Sequence, residues 1–140
     1  MKNFLLTLFL ILFSTGLVSC KQPAPDITAI TNLTAKEGFD LIKENKNNPD
    51  FIILDVRTPE EFNSGHIEKA VNIDYNAANF KEEVGKLDKN KTYALYCGSG
   101  RRAVATSDIM GELGFVNIYE FGGVKQWMDA GYKLTPVEGK

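Results

Sequence analysis

Phe51-Ile52-Ile53-Leu54-Asp55-Val56, written FIILDV, is an unbroken apolar run rich in β-branched side chains, with no polar position before Asp55. A run of this length without alternation suits a strand buried on both faces, the kind a parallel sheet uses. Upstream, Thr34-Ala35-Lys36-Glu37 has the spacing of a capping box. With the apolar stripe Phe39, Leu41 and Ile42 behind it, it predicts a helix over residues 35–45, closed by Asn47-Asn48-Pro49-Asp50. Downstream, Pro59-Glu60-Glu61-Phe62 opens a short helix, and Ala70-Val71-Asn72-Ile73 gives a brief strand. Thr92-Tyr93-Ala94-Leu95-Tyr96 reads as a further strand. Ala105, Ile109 and Leu113 then fall four apart, on one face of a helix running from about residue 102 to 113, which Gly114 ends. Val116 to Phe121 alternates as a strand, Gly122-Gly123 reads as a turn, and residues 124–130 form a last helix carrying Trp127. Strands alternating with helices imply an α/β fold: a single domain over residues 27–140, with a mainly parallel central sheet flanked by helices on both faces. In such sheets the ligand site lies outside the carboxyl ends of the strands.

Composition agrees with one soluble domain: 140 residues, 44% hydrophobic and 24% charged, with a formal net charge of -2. A balance this even leaves no basic footprint, so nucleic acid is not an expected partner. The first residues stand apart. Lys2 precedes an apolar run from Phe4 to Phe13 broken only by Thr7, and small and polar residues follow. The run is shorter than the ~20 residues that span a bilayer, and the pattern reads as a secretory signal. Leu17-Val18-Ser19-Cys20 resembles the lipobox of bacterial lipoproteins. That resemblance implies a signal peptide over residues 1–19, then a lipidated Cys20 and a short tether over residues 20–26, with Pro23 and Pro25 keeping it extended. It places the domain on the cell envelope, periplasmic or surface-facing, with the membrane as a partner through Cys20. Ordinary signal cleavage nearby, leaving Cys20 free, is the competing reading.

Only two cysteines exist, Cys20 and Cys97. With Cys20 alkylated by lipid, Cys97 has no intramolecular partner. A lone thiol in an oxidising compartment calls for a reason; a Cys20–Cys97 disulfide and an inert buried thiol are the plain alternatives. The residues after Cys97 favour chemistry. Gly98 and Gly100 let the chain curl and aim amide N–H groups inward. The curl feeds a helix N-terminus, whose partial positive charge favours an anion. A thiol held there is a ready nucleophile, and Arg101 and Arg102 add two permanent cations able to fork onto an oxyanion. Arg101 also reads as a solvated surface residue. One histidine and one available cysteine make no metal ligand set, and no cofactor is expected.

Three ordered segments carry a wider likeness: LDVRTPEEFNSGHIEKAVNI (54–73), CGSGRRA (97–103) and LGFVNIYEFGGVKQWMDAGY (113–132). Together they resemble the rhodanese-like domain family of sulfurtransferases over nearly all of residues 30–135. The resemblance implies that Cys97 is catalytic and takes a sulfane sulfur as a persulfide. Gly98, Ser99, Gly100, Arg101 and Arg102 would form the substrate-binding loop, and Asp55 and Arg57 a structural polar network. His66, in GHIEKAVNI, then has a mainly structural role. Two departures stand out: Glu68-Lys69 replaces a common Pro-Gly, and Ala103 replaces a common serine.

The implied reaction is a double displacement. A small sulfur-containing anion such as thiosulfate gives its outer sulfur to Cys97, sulfite leaves, and a thiol or cyanide acceptor takes the sulfur. Two other classes are weighed against it. Phosphatases of the cell-division-cycle type use a longer C-x5-R loop, whereas Cys97 to Arg102 is C-x4-R and leaves room for one sulfur atom. Non-catalytic binding modules of the family typically lack the cysteine.

Overall fold

Phe51–Asp55 forms strand β2 and Thr92–Cys97 forms strand β4, and the two lie side by side at the middle of one sheet. The computed structural model describes residues 28–135, so the signal, Cys20 and tether of the sequence reading lie outside the described residues. Strands β1 (Ala29–Asn32), β3 (Val71–Asn72) and β5 (Asn117–Gly123) complete the order β1-β5-β4-β2-β3. Every neighbouring pair is parallel, as the uninterrupted apolar runs require.

Alternation along the central strands sorts side chains to two cores. Leu54, Val56, Tyr93, Leu95 and Cys97 face one side, where they meet Ala103 and Met110 of α4 (Arg101–Glu112) and Phe80 and Val84 of α3 (Phe80–Gly85). Ile53, Ala94, Tyr96 and Phe121 face the other, against α1 (Ala35–Glu44) and Trp127 of α5 (Val124–Asp129). A Cβ on Gly38 would come within 2.6 Å of the Phe121 ring, so α1 lies backbone-close on β5. The expected cap of Thr34 with Glu37 forms on α1, and the structure adds a second capping box, Thr58 with Glu61, on α2 (Pro59–Asn63), where Pro59 opens the first turn.

Three features differ from the sequence reading. Strand β1 is all exposed and shows no alternation; pairing with β5, rather than burial, places it. Helix α3 has no side-chain cap and buries only Phe80 and Val84, too little for a periodic signal. Gly122-Gly123 is not a free turn but continues β5, pairing Gly123 with Cys97 after an irregularity between Leu95 and Cys97. The physical reason is close backbone approach, described next.

Candidate active site

Strand β4 delivers Cys97 to the carboxyl edge of the sheet, and α4 begins four residues later. The connecting loop is shaped by glycine in two places. Gly100, the residue before α4, has φ 99°, a left-handed conformation, and its N–H points back to donate to Cys97 Sγ at 3.0 Å. Across the loop, a Cβ on Gly123 would fall on the carbonyl of Gly98 and lie 2.8 Å from the Cys97 carbonyl oxygen. Lys125 N–H donates to that same Gly98 carbonyl at 3.2 Å. The start of α5 therefore braces the cysteine loop, backbone against backbone. Cys97 is 1% exposed and sits beneath the loop, while Ser99 is on its outside. Ala103, at the position of the missing serine, is fully buried in the same core as Cys97.

The two arginines part company. Arg102 is held by Glu61 in a fork: Nη1 donates to Oε2 and Nη2 to Oε1, both at 2.8 Å. That hydrogen bonding holds the Glu61 carboxyl at about 2, against the opposing effect of burial and with help from the Thr58 backbone N–H. Arg102 in turn is held further on its charged side, first by Glu61 and then by the neighbouring Cys97 sulfur. Glu61 thus caps α2 and clamps the loop arginine with one carboxylate. Arg101 is exposed, in no ion pair among the described residues, and opens onto a recess of about 510 Å³ that it lines with Tyr75, Asn76, Ser99, Arg102 and Ala105.

Asp55 and Arg57 form a buried pair. Arg57 Nη2 donates to Asp55 Oδ2 at 2.7 Å and to the Gly65 carbonyl at 2.7 Å, and its backbone N–H donates to Asp55 Oδ1 at 2.9 Å. Its guanidinium carbon stands 5.6 Å from the centre of the Tyr96 ring, and the Tyr96 hydroxyl accepts from the Ile67 N–H at 3.1 Å. Burial opposes the Arg57 charge, but Asp55 outweighs it and the guanidinium is held charged. This network ties β2, the segment before β3 and β4 together. His66 stacks on Phe62 with ring centres 3.9 Å apart, and its Nδ1 lies 3.2 Å from the Phe62 carbonyl, a packing arrangement. Among the described residues no group of three or more His, Cys, Asp or Glu side chains is placed to hold a metal ion.

Glu61 and the Gly122-Gly123 brace escaped the sequence reading. The sequence placed Glu61 in the opening turn of a short helix, but nothing local points to Arg102, forty-one positions on.

A family model for the rhodanese-like domain matches residues 39–130. Among curated proteins, the thiosulfate sulfurtransferase PspE of Escherichia coli (strain K12) is 32% identical over 72 residues, covering 51% of this chain and 69% of that protein. A tRNA uridine(34) hydroxylase of Pelagibacter ubique (strain HTCC1062) is 36% identical over 96 residues, 64% of this chain but only 31% of that protein. The chain therefore spans less than a third of the hydroxylase. A solved rhodanese-related protein from Thermoplasma volcanium superposes with a TM-score of 0.62 at 28% identity, covering 75% of this chain and 97% of that one.

Proposed function

The chain belongs to the rhodanese-like domain family, and from the geometry of its cysteine loop we propose that it is a sulfurtransferase carrying a sulfane sulfur on Cys97. The observation that carries this reading is the Gly100 N–H aimed at Cys97 Sγ from the start of α4, within a loop of only four residues before Arg102. The Cys97 thiolate attacks the outer sulfur of thiosulfate. A new S–S bond forms at Cys97, the sulfur–sulfur bond of the donor breaks, and sulfite leaves with the electron pair. Arg101, exposed on the recess, takes the sulfonate oxygens. Arg102, fixed by Glu61, offsets the negative charge at the sulfur, and the amides of Gly98, Ser99 and Gly100 surround the transferred atom. Cyanide or a thiolate then attacks the outer sulfur and Cys97 is released as thiolate. Burial of Cys97 under its loop supports storage, because water and bulky oxidants are kept from the persulfide.

Incubated with thiosulfate, the purified protein gains the mass of one sulfur atom at Cys97 and passes it to cyanide with ping-pong kinetics. Cys97→Ser stays folded and does neither. Aryl-phosphate turnover without a persulfide would assign the loop to phosphate chemistry, and neither activity across several donors would assign it to binding.

The N-terminal sequence supports a second proposal, that the domain is exported and anchored by lipid at Cys20 to the cell envelope. The mature protein then fractionates with membranes and begins at Cys20, and Cys20→Ala blocks lipidation. A soluble wild-type protein with an unmodified N-terminus would refute it.

A further inference from the structure

At the end of the sheet opposite the cysteine loop, where β2 begins, a second recess of about 610 Å³ opens between the end of α1, segment 45–49 and the residues leading into β3. Its size falls within the ~300–1,000 Å³ typical of small-molecule sites. Its floor is apolar: Phe39, Ile42, Phe51, Ile67 and Trp127 line it, and Val71, 46% exposed, lies at its margin. Lys43, Lys46, Lys69 and Lys133 also line it, and Glu68 is the single acidic side chain that does.

The lysines are unusual in two respects. Among the described residues the ion pairs engage Lys36, Lys81, Lys86, Lys91, Lys125, Arg57 and Arg102, and none of the four at this recess. Of the six described lysines and arginines in no ion pair, four thus line one apolar hollow, while Lys89 and Arg101 lie elsewhere. Second, Lys69 has φ 66°, the only non-glycine among the described residues in the left-handed region. That conformation costs a side-chain-bearing residue stability. The Lys69 ammonium donates to the Lys46 carbonyl at 3.0 Å, which holds it across the space between the two segments. Four ammonium-bearing side chains and a single carboxylate around an apolar floor leave an anion as the complementary component.

We propose that this recess binds a single-chain amphipathic carboxylate, its alkyl chain on the apolar floor and its carboxylate among the lysine ammonium groups. Lysine suits both ends of such a ligand, since its methylene stem lies along apolar surface while the ammonium reaches the anion. None of the lining residues belongs to the cysteine loop, so this site is separate from sulfur transfer.

Trp127 is the only tryptophan of the chain and lines the recess, so its fluorescence reports occupancy directly. Dodecanoate, titrated below its micelle concentration into the purified full-length protein, should change that fluorescence saturably. Dodecanol and dodecylamine should bind at least about tenfold more weakly, because they keep the chain but lose the anion. The combined variant Lys43→Gln, Lys46→Gln, Lys69→Gly should weaken dodecanoate binding by about tenfold or more while leaving persulfide formation at Cys97 unchanged. Lys69→Gly alone should weaken binding yet melt no lower than wild type, since glycine removes the left-handed strain. The proposal falls if dodecanoate gives no saturable change, if dodecanol or dodecylamine binds as well, or if the combined variant binds like wild type. It falls equally if binding appears only when residues 136–140 are removed, which would give the recess to the chain that follows Thr135. Association with anionic vesicles in the absence of any dodecanoate response would also overturn it, in favour of a membrane surface.

Discussion

Glu61→Gln tests the clamp on the loop arginine. Glutamine still offers a carbonyl oxygen to the Thr58 N–H, so the cap on α2 survives and the lost quantity is the charged fork to Arg102. A carboxyl lowered from 4.5 to about 2 would represent roughly 3 kcal/mol if the group were shut off from water. The Glu61 side chain is 39% exposed and that of Arg102 21%, and solvent screening reduces the figure to ~1 kcal/mol. Glu61 has its folded pKa below its unfolded one. Its contribution is therefore fully present above about pH 4.5 and is lost as the pH falls through about 2. Urea unfolding followed by circular dichroism should show the variant ~1 kcal/mol less stable near neutral pH, a melting shift of about 3–6 °C for a domain of this size. The two stabilities should converge as the pH approaches 2. Equal stability at neutral pH, or a gap that stays constant down to that limit, would refute the assignment of the fork as a stabilising ion pair.

Gly123→Ala puts a methyl group onto the Gly98 carbonyl, where only backbone can give way. It should cost ~1–3 kcal/mol of stability and lower persulfide formation from thiosulfate far more than the stability loss explains, read by intact mass. Asp55→Asn leaves the Arg57 guanidinium buried without its counter-charge. Thermal melts should show a loss of ~3–5 kcal/mol, and the double variant Asp55→Asn, Arg57→Leu should recover part of it.

What the sequence disclosed follows from how each feature is stabilised. FIILDV and TYALY are visible because burial on both faces demands apolar side chains at consecutive positions, and both became central strands. The Thr34–Glu37 capping box is local chemistry within three residues, and it formed. Strand β1 is held by backbone pairing that leaves no imprint on side-chain choice, and six-residue α3 is too short for a period to show. At the site, Cys97, its glycines and its arginines lie within six positions of one another and were legible together. The Glu61 fork and the Gly123 brace join segments distant in sequence, where the residue types alone name no partner. For Arg102 the consequence is concrete: the spacing from Cys97 gave its place, but only the fold reveals that its fork is already occupied.

The brace also sets a schedule. Cys97 and its loop precede in the chain the residues that shape them, since Gly123 and Lys125 meet the loop only after β5 has paired with β4. Strand β1 likewise waits for β5, its sole neighbour among the described residues. A polypeptide emerging from a ribosome or an export channel with its N-terminus first presents Cys97 as an ordinary, open thiol until residues 117–125 arrive. During that interval it is available to oxidants and to other thiols without discrimination. The loop takes its braced form only when α5 docks, so the nascent chain passes through a vulnerable phase that the folded protein no longer has.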